Sequence, residues 1–241
     1  MTPQIERYAL VTGASSGIGR ATALAFAQVG IHLALVSRTQ SMLETVAAEV
    51  TQYGVKVRCY PMDLLQLEHV RPAIAAIVAD FGPIDILVNN AGMGYTGAIA
   101  TTPLADWQRV LDLNLTSVFQ CIQGILPSMR ERRRGTIINV SSIAGQQVFP
   151  DWGAYCVSKF GLVALSKTLA AEERAHGIRV VTVSPGSVNT ALWDTDTVHA
   201  DFDRSQMLTP TIVAQSILHA ATMPEYAVIE ELTLMPNAGT F

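Results

Sequence analysis

Tyr8-Ala9-Leu10-Val11-Thr12-Gly13-Ala14-Ser15-Ser16-Gly17-Ile18-Gly19 passes from an apolar run into a glycine-rich turn and out into a helical pattern. The run at 8–12 stops at glycine and reads as a buried strand. Residues 18–29 carry helical periodicity, with Gly30 as the C-cap. Glycines at such a junction permit a tight turn and let backbone N–H groups approach a pyrophosphate. The helix N-terminus adds its partial positive charge. A bare Gly-x-Gly has little meaning, but this one follows a strand, opens a helix and begins a βαβ unit.

The alternation continues outward from that loop. Strands are expected at 31–36, 55–60, 84–88, 136–140, 178–183 and 229–234. Between them the periodicity predicts helices at 41–53, 67–81, 153–176 and from Pro210 to about Met223. One long helix is expected from Pro103 or Asp106 to about Arg134, stopped by Gly135. No linker or repeat interrupts the series. The pattern is that of an α/β protein with a doubly wound, seven-stranded parallel sheet and helices on both faces. A single domain is expected over residues 1–241, with a polar, irregular substrate loop at about 190–208.

Composition narrows the class. Of 241 residues, 49% are hydrophobic and 15% charged. That balance suits strands buried on both faces and surface buried between subunits. A net charge of -4 argues against a nucleic-acid surface. The apolar runs are too short and too often broken to span a bilayer. Residues 1–7 show no signal-peptide pattern. Cys59, Cys121 and Cys156 are scattered, which suggests a reducing cytoplasm. The five histidines have no metal-ligand spacing.

Tyr155 and Lys159 carry the chemistry. A spacing of four puts both on one helix face. A lone Tyr, with a pKa of about 10, is a poor acid or base near neutrality. An ammonium beside it favours the phenolate. Ser142, thirteen residues upstream, supplies a hydroxyl to hold a substrate oxygen. The three suit proton transfer at a carbinol oxygen. At the end of the second strand, Val36-Ser37-Arg38-Thr39 has no acid to bind a ribose 2′-hydroxyl. Arg38 is placed for a 2′-phosphate instead, with Ser37 and Thr39 as added donors, so NADPH is expected over NADH.

Thr12-Gly13-x-x-x-Gly17-x-Gly19, Asn89-Asn90-Ala91-Gly92, Asn114, Ser142, Tyr155-x-x-x-Lys159 and Pro185-Gly186 stand in the order of the short-chain dehydrogenase/reductases. The chain resembles the compact branch of that family over essentially its whole length. The resemblance implies that Tyr155 is the general acid in reduction and the base in oxidation. Lys159 would bind the nicotinamide ribose and lower the Tyr pKa. Ser142 would polarise the carbonyl, and Asn114, inside its long helix, would hold a relay water. Gly13, Ser15, Ser16, Gly17, Ile18 and Gly19 would hold the pyrophosphate. Asn90, Ala91 and Gly92 would line the adenosine ribose, and Asp63 and Leu64 the adenine. Pro185, Gly186, Val188 and Thr190 would face the nicotinamide. No metal is implied.

The same resemblance implies NADP(H) as cofactor, a small-molecule carbonyl substrate and a homotetramer or homodimer. Trp193 is a candidate substrate wall, with Met93, Tyr95, Gln147, Phe149, Trp152 and Met207 as further candidates. A generic carbonyl reductase is expected. The alternatives are a 3-oxoacyl carrier-protein reductase, a sepiapterin reductase-like enzyme and a non-catalytic NADP(H) sensor. A carrier protein would dock at the cluster 130–134, with Arg133 the best match and His176 as the second position. A solvated helix end is the plainer reading of that cluster. Sepiapterin reductases carry an acid near the C-terminus, and residues 237–241 have none.

Overall fold

The computed structural model describes residues 6–200 and 203–239. Seven parallel strands form one sheet in the order β3-β2-β1-β4-β5-β6-β7. They are β1 (Tyr8–Thr12), β2 (His32–Ser37), β3 (Val57–Pro61), β4 (Ile86–Asn89), β5 (Gly135–Val140), β6 (Ile178–Pro185) and β7 (Glu231–Leu234). The central strands are apolar on both faces because helices cover both. One layer packs α1 (Gly17–Gln28), α2 (Gln40–Thr51) and α7 (Pro210–Ala221) around Phe26, Leu33, Leu35 and Ile217. The other packs α3 (Leu67–Phe81), α5 (Ser117–Arg132) and α6 (Gly153–Glu173) around Leu10, Ile74, Leu87, Ile125 and Ile137. Strand order reverses between β1 and β4, so a crevice opens at their C-terminal ends.

The expected long helix is a compound one. Leu104–Leu111 (α4) runs into a π-helical turn at Asp112–Thr116 before α5 begins. Asn114 lies in the π turn, not in regular α-helix. Periodicity cannot reveal a single inserted residue, because the apolar face resumes after it. The path ends at Arg133, which takes a left-handed φ of 49° where a glycine is more usual. The strand expected at 229–234 is shortened to Glu231–Leu234.

Side-chain networks fix the helix that carries Tyr155. Asn89 Nδ2 donates to Asn139 Oδ1 at 2.8 Å, and Asn139 Nδ2 donates to Ser166 Oγ of α6 at 2.8 Å. Arg130 of α5 donates from Nε to the Glu173 carboxylate of α6 at 2.9 Å, and its Nη2 pairs with the second oxygen. Glu173 is fully buried. Arg132 donates to Asp85 at 2.9 Å, and Arg134 approaches the same carboxylate at 3.6 Å. Arg133 donates to the Ala175 carbonyl at 2.7 Å. The cluster thus clamps α5 to its neighbours. Arg130→Ala strands a buried carboxylate, and we expect a clear fall in the urea midpoint. Arg133→Ala should cost about 1 kcal/mol or less. Equal losses would contradict this division.

Candidate active site

The phosphate loop is shaped by close contact. Gly13 and Gly17 take left-handed φ values of 64° and 51°. A Cβ on Gly19 would lie 2.1 Å from the Gly13 carbonyl oxygen, so only glycine lets α1 start this near the turn. Thr12 Oγ1 accepts from the N–H groups of Asn90 at 3.0 Å and Ala91 at 3.1 Å. Asn90 Nδ2 donates to the Thr12 carbonyl at 3.0 Å. These bonds join the ends of β1 and β4 at the floor of a cavity of about 720 Å³. Gly13, Ser15, Ser16, Gly17 and Ile18 line it, while Gly19 sits beneath the loop.

The end of β2 forms one pole of the cavity. Ser37, Arg38 and Thr39 all line it. Ser37 Oγ is buried and has no hydrogen-bond partner among the described residues. Arg38 is exposed, and among the described residues it has no ion pair. Thr39 caps α2 without a side-chain cap bond. An orphaned hydroxyl, an unpaired guanidinium and a helix N-terminus together fit a phosphate. Asp63 Oδ1 accepts from the Leu65 N–H at 3.0 Å, and Leu64 is buried beside it. Asp63, Leu64, Asn90, Ala91 and Gly92 line this half of the cavity.

Sequence reasoning missed Met42, Leu65 and Arg109 on the same walls. Arg109 stands one helical turn before Leu113, another lining residue, and that spacing of four was the available signal.

The other pole brings together Ser142, Tyr155 and Lys159. Ser142 lies two residues past β5 and accepts from the Ala144 N–H at 3.1 Å, which fixes its hydroxyl. Ser142 also hydrogen-bonds the Tyr155 phenol, which favours the phenolate. Burial outweighs that bond and pushes the Tyr155 pKa above its ordinary value. Lys159 Nζ donates to the Val140 carbonyl at 3.0 Å and lies 5.7 Å from the Tyr155 ring centroid. Burial pushes Lys159 down to about 8. Lys159 is not among the causes of the Tyr155 shift, and desolvation is the largest cause for both groups.

Asn114 lies behind the cavity, not on its wall. Its Oδ1 accepts from the Met93 N–H at 2.8 Å, and its Nδ2 donates to the Met93 carbonyl at 2.9 Å and to Ser158 Oγ at 3.0 Å. The side-chain amide is committed to protein partners. Pro185, Gly186, Val188 and Thr190 line the roof. Trp193 lines the cavity with Met93, Phe149 and Trp152, and its Nε1 donates to the Val188 carbonyl at 2.8 Å. Tyr95, Gln147 and Met207 do not line it: the Tyr95 hydroxyl points to Asp106, and Met207 is buried. In the expected substrate loop, residues 201–202 lie outside the described set. Among the described residues no cluster fits a metal ion, and no helix is long and apolar enough to cross a membrane.

Comparison with known proteins agrees with this geometry. The family profile described as short chain dehydrogenase matches residues 7–200. A glycine betaine reductase of Emericella nidulans is 35% identical over 98% of the chain, which spans only 19% of that protein. A sepiapterin reductase of Chlorobaculum tepidum is 33% identical, covering 95% of this chain and 96% of its own length. Among solved structures, an alcohol dehydrogenase of Thermococcus sibiricus complexed with 5-hydroxy-NADP superposes with a TM-score of 0.88. It is 28% identical and covers 96% of this chain and 97% of its own.

Burial of Lys159 has a measurable cost. A fall from the ordinary 10.5 to about 8 means the charged form destabilises the fold by about 3 kcal/mol below pH 8. The unfolded chain binds more protons between pH 8 and 10.5, so the penalty fades as pH rises through that window. Lys159→Met removes it and loses one hydrogen bond worth about 1 kcal/mol. We expect a net gain of about 2 kcal/mol at pH 6.5, shrinking as pH rises above 8. Urea midpoints across that range test this, and a gain independent of pH would refute it.

Proposed function

The chain belongs to the short-chain dehydrogenase family, and on that premise we propose an NADPH-dependent oxidoreductase that interconverts a carbonyl and a secondary alcohol. The family binds a nicotinamide cofactor, and the bound cofactor supplies the hydride. The observation that carries the reading is the Ser142–Tyr155 hydroxyl pair, held where α6 and β5 meet the cavity, with Lys159 one turn beyond.

The chain's own residues have separable tasks. Ser142 donates to the substrate oxygen and keeps the carbonyl oriented. Tyr155, protonated at neutral pH as an ordinary phenol is, gives its proton to the developing alkoxide. Lys159, held at the Val140 carbonyl, sits at about pH 8, close enough to neutrality to pass a proton onward. Asn114 clamps the Met93 backbone, so a relay water would bind its main-chain carbonyl, which a π turn is suited to release. Ser37, Arg38 and Thr39 bind the 2′-phosphate. Gly13, Ser15, Ser16, Gly17, Ile18 and Gly19 shape the pyrophosphate site. Asp63, Leu64, Asn90, Ala91 and Gly92 enclose the adenosine, while Pro185, Gly186, Val188 and Thr190 cover the nicotinamide.

The sepiapterin reductase alternative draws support from the 33% identity to the Chlorobaculum tepidum enzyme, and less from the residues themselves. The guanidiniums of Arg130, Arg132 and Arg134 are already paired, which leaves Arg133 alone for an acidic carrier. Asn237, Ala238 and Gly239 offer no acid for a pterin, and Thr240 and Phe241 lie outside the described residues. A sensor would not need the proton-transfer set. Phe119, Val157 and Phe160 expose apolar surface on α5 and α6, and we assign that surface to a homodimer or homotetramer.

Tyr155→Phe should lower kcat/KM for ketone reduction by about a thousandfold, followed by absorbance of the reduced nicotinamide. Undiminished turnover would refute Tyr155 as the acid. Arg38→Asp should lower the ratio of kcat/KM for NADPH over NADH by roughly ten- to hundredfold. A wild-type preference for NADH would refute the cofactor assignment.

A further inference from the structure

The substrate end of the cavity is walled by aromatic rings set at steep angles. Trp152 and Tyr155 meet with centroids 5.4 Å apart and planes at 67°. Trp152 and Trp193 meet at 5.8 Å and 69°. Phe149 lines the same space. The Trp193 ring cannot swing freely, because its Nε1 is held by the Val188 carbonyl at 2.8 Å. Rings at such angles form a corner, not a slot. A flat aromatic substrate prefers parallel walls, whereas a corner suits a compact, rounded group.

Charge distinguishes which rounded group. Asp196 lines the cavity from the same loop as Trp193. Its carboxylate is exposed, and among the described residues it has no hydrogen bond or ion pair, unlike Asp194, which pairs with Arg204 at 2.6 Å. The other charged lining groups are Arg38 and Asp63 on the adenosine side, Arg109 on α4, and Lys159, buried beneath Gly92. The substrate pole therefore combines a corner of aromatic rings with an unpaired carboxylate, and its other charge, Lys159, is buried 5.7 Å from the Tyr155 ring centroid. Ring faces attract cations and offer no hydrogen-bond acceptor. A quaternary ammonium needs none, whereas a primary ammonium does.

We propose that the substrate is a small aldehyde or ketone carrying a quaternary ammonium group, seated in the corner of Trp152, Tyr155 and Trp193 with Asp196 as its counter-ion. This rests on the carbonyl reductase reading above, extends it to aldehydes, whose products are primary alcohols, and names the substrate class of that site. The carbonyl would lie at Ser142 and Tyr155, with the cation one or two carbons away. Reduction is balanced by one hydride from NADPH and one proton from Tyr155, giving the corresponding ammonium alcohol and leaving the cation unchanged.

The test compares two substrates of equal shape, 2-(trimethylammonio)acetaldehyde and its neutral isostere 3,3-dimethylbutanal. We expect kcat/KM to favour the cation by at least tenfold, carried mainly by KM. Asp196→Asn and Trp193→Leu should each lower that preference severalfold. As a readout apart from turnover, choline should quench tryptophan fluorescence at lower concentration than 3,3-dimethylbutan-1-ol does. Equal or better turnover of the neutral aldehyde, or a preference untouched by both substitutions, would overturn the proposal while leaving the carbonyl reductase reading intact. Failure with both aldehydes while simple ketones are reduced would overturn it too. Failure with every carbonyl tried would defeat the carbonyl reductase reading and this proposal together.

Discussion

Thr12 ends β1 at the point where strand order reverses, and its hydroxyl accepts from two backbone N–H groups of the β4 end. Without those bonds, two parallel strands whose chains depart in opposite directions would leave unsatisfied donors in a nearly dry place. With them, the sheet stays closed while its upper edge stays open. The glycine loop, the Asn90–Gly92 segment and the cavity are arranged around that opening. Gly13 and Gly19 then let α1 begin near enough to present its N-terminus to a phosphate.

The opposite pole is built against stability. A buried lysine, a half-buried phenol and a serine hydroxyl occupy the junction of β5 and α6. Each would be cheaper as an apolar residue. The fold tolerates them because α6 is anchored elsewhere. The Asn89–Asn139–Ser166 chain ties it to the sheet, and Glu173 ties it to Arg130. Strong anchoring away from the chemistry lets a short stretch of the helix hold groups with displaced pKa values. Desolvation moves both groups toward their neutral forms, so Tyr155 keeps its proton and is a weaker acid than an exposed phenol.

Much of this was legible in the sequence, for identifiable reasons. Strands buried on both faces read as apolar runs, and glycines at strand–helix junctions have few other uses. Ser142, Tyr155 and Lys159 converge because one lies at a strand end and two share a helix face. The π turn at Asn114 was not legible, since one inserted residue leaves the apolar pattern nearly unchanged. The pKa balance was not legible either, because spacing gives proximity and says nothing of desolvation. Tyr95 and Met207 were proposed as walls on composition alone. Their directions depend on partners far along the chain, Asp106 and the packed core.

Arg109 was missed for the opposite reason, and Asp196, though inside the expected substrate loop, was not singled out there. Each is an exposed charge, and an exposed charge in a sequence reads as solvated surface. Only the three-dimensional arrangement shows that one stands on α4 beside Leu113 and the other on the loop beside Trp193, both facing the cavity. The exposed charges on that cavity thus differ in sign, with Arg38 toward the adenosine side and Asp196 beside Trp193, while Asp63 and Lys159 oppose them from less exposed positions. A phosphate-rich cofactor and a cationic substrate would be drawn to different ends of one continuous space. That polarity also discourages either ligand from occupying the other's place. Specificity here then depends less on the shared hydroxyl chemistry than on how charge is distributed along the crevice that Thr12 holds open.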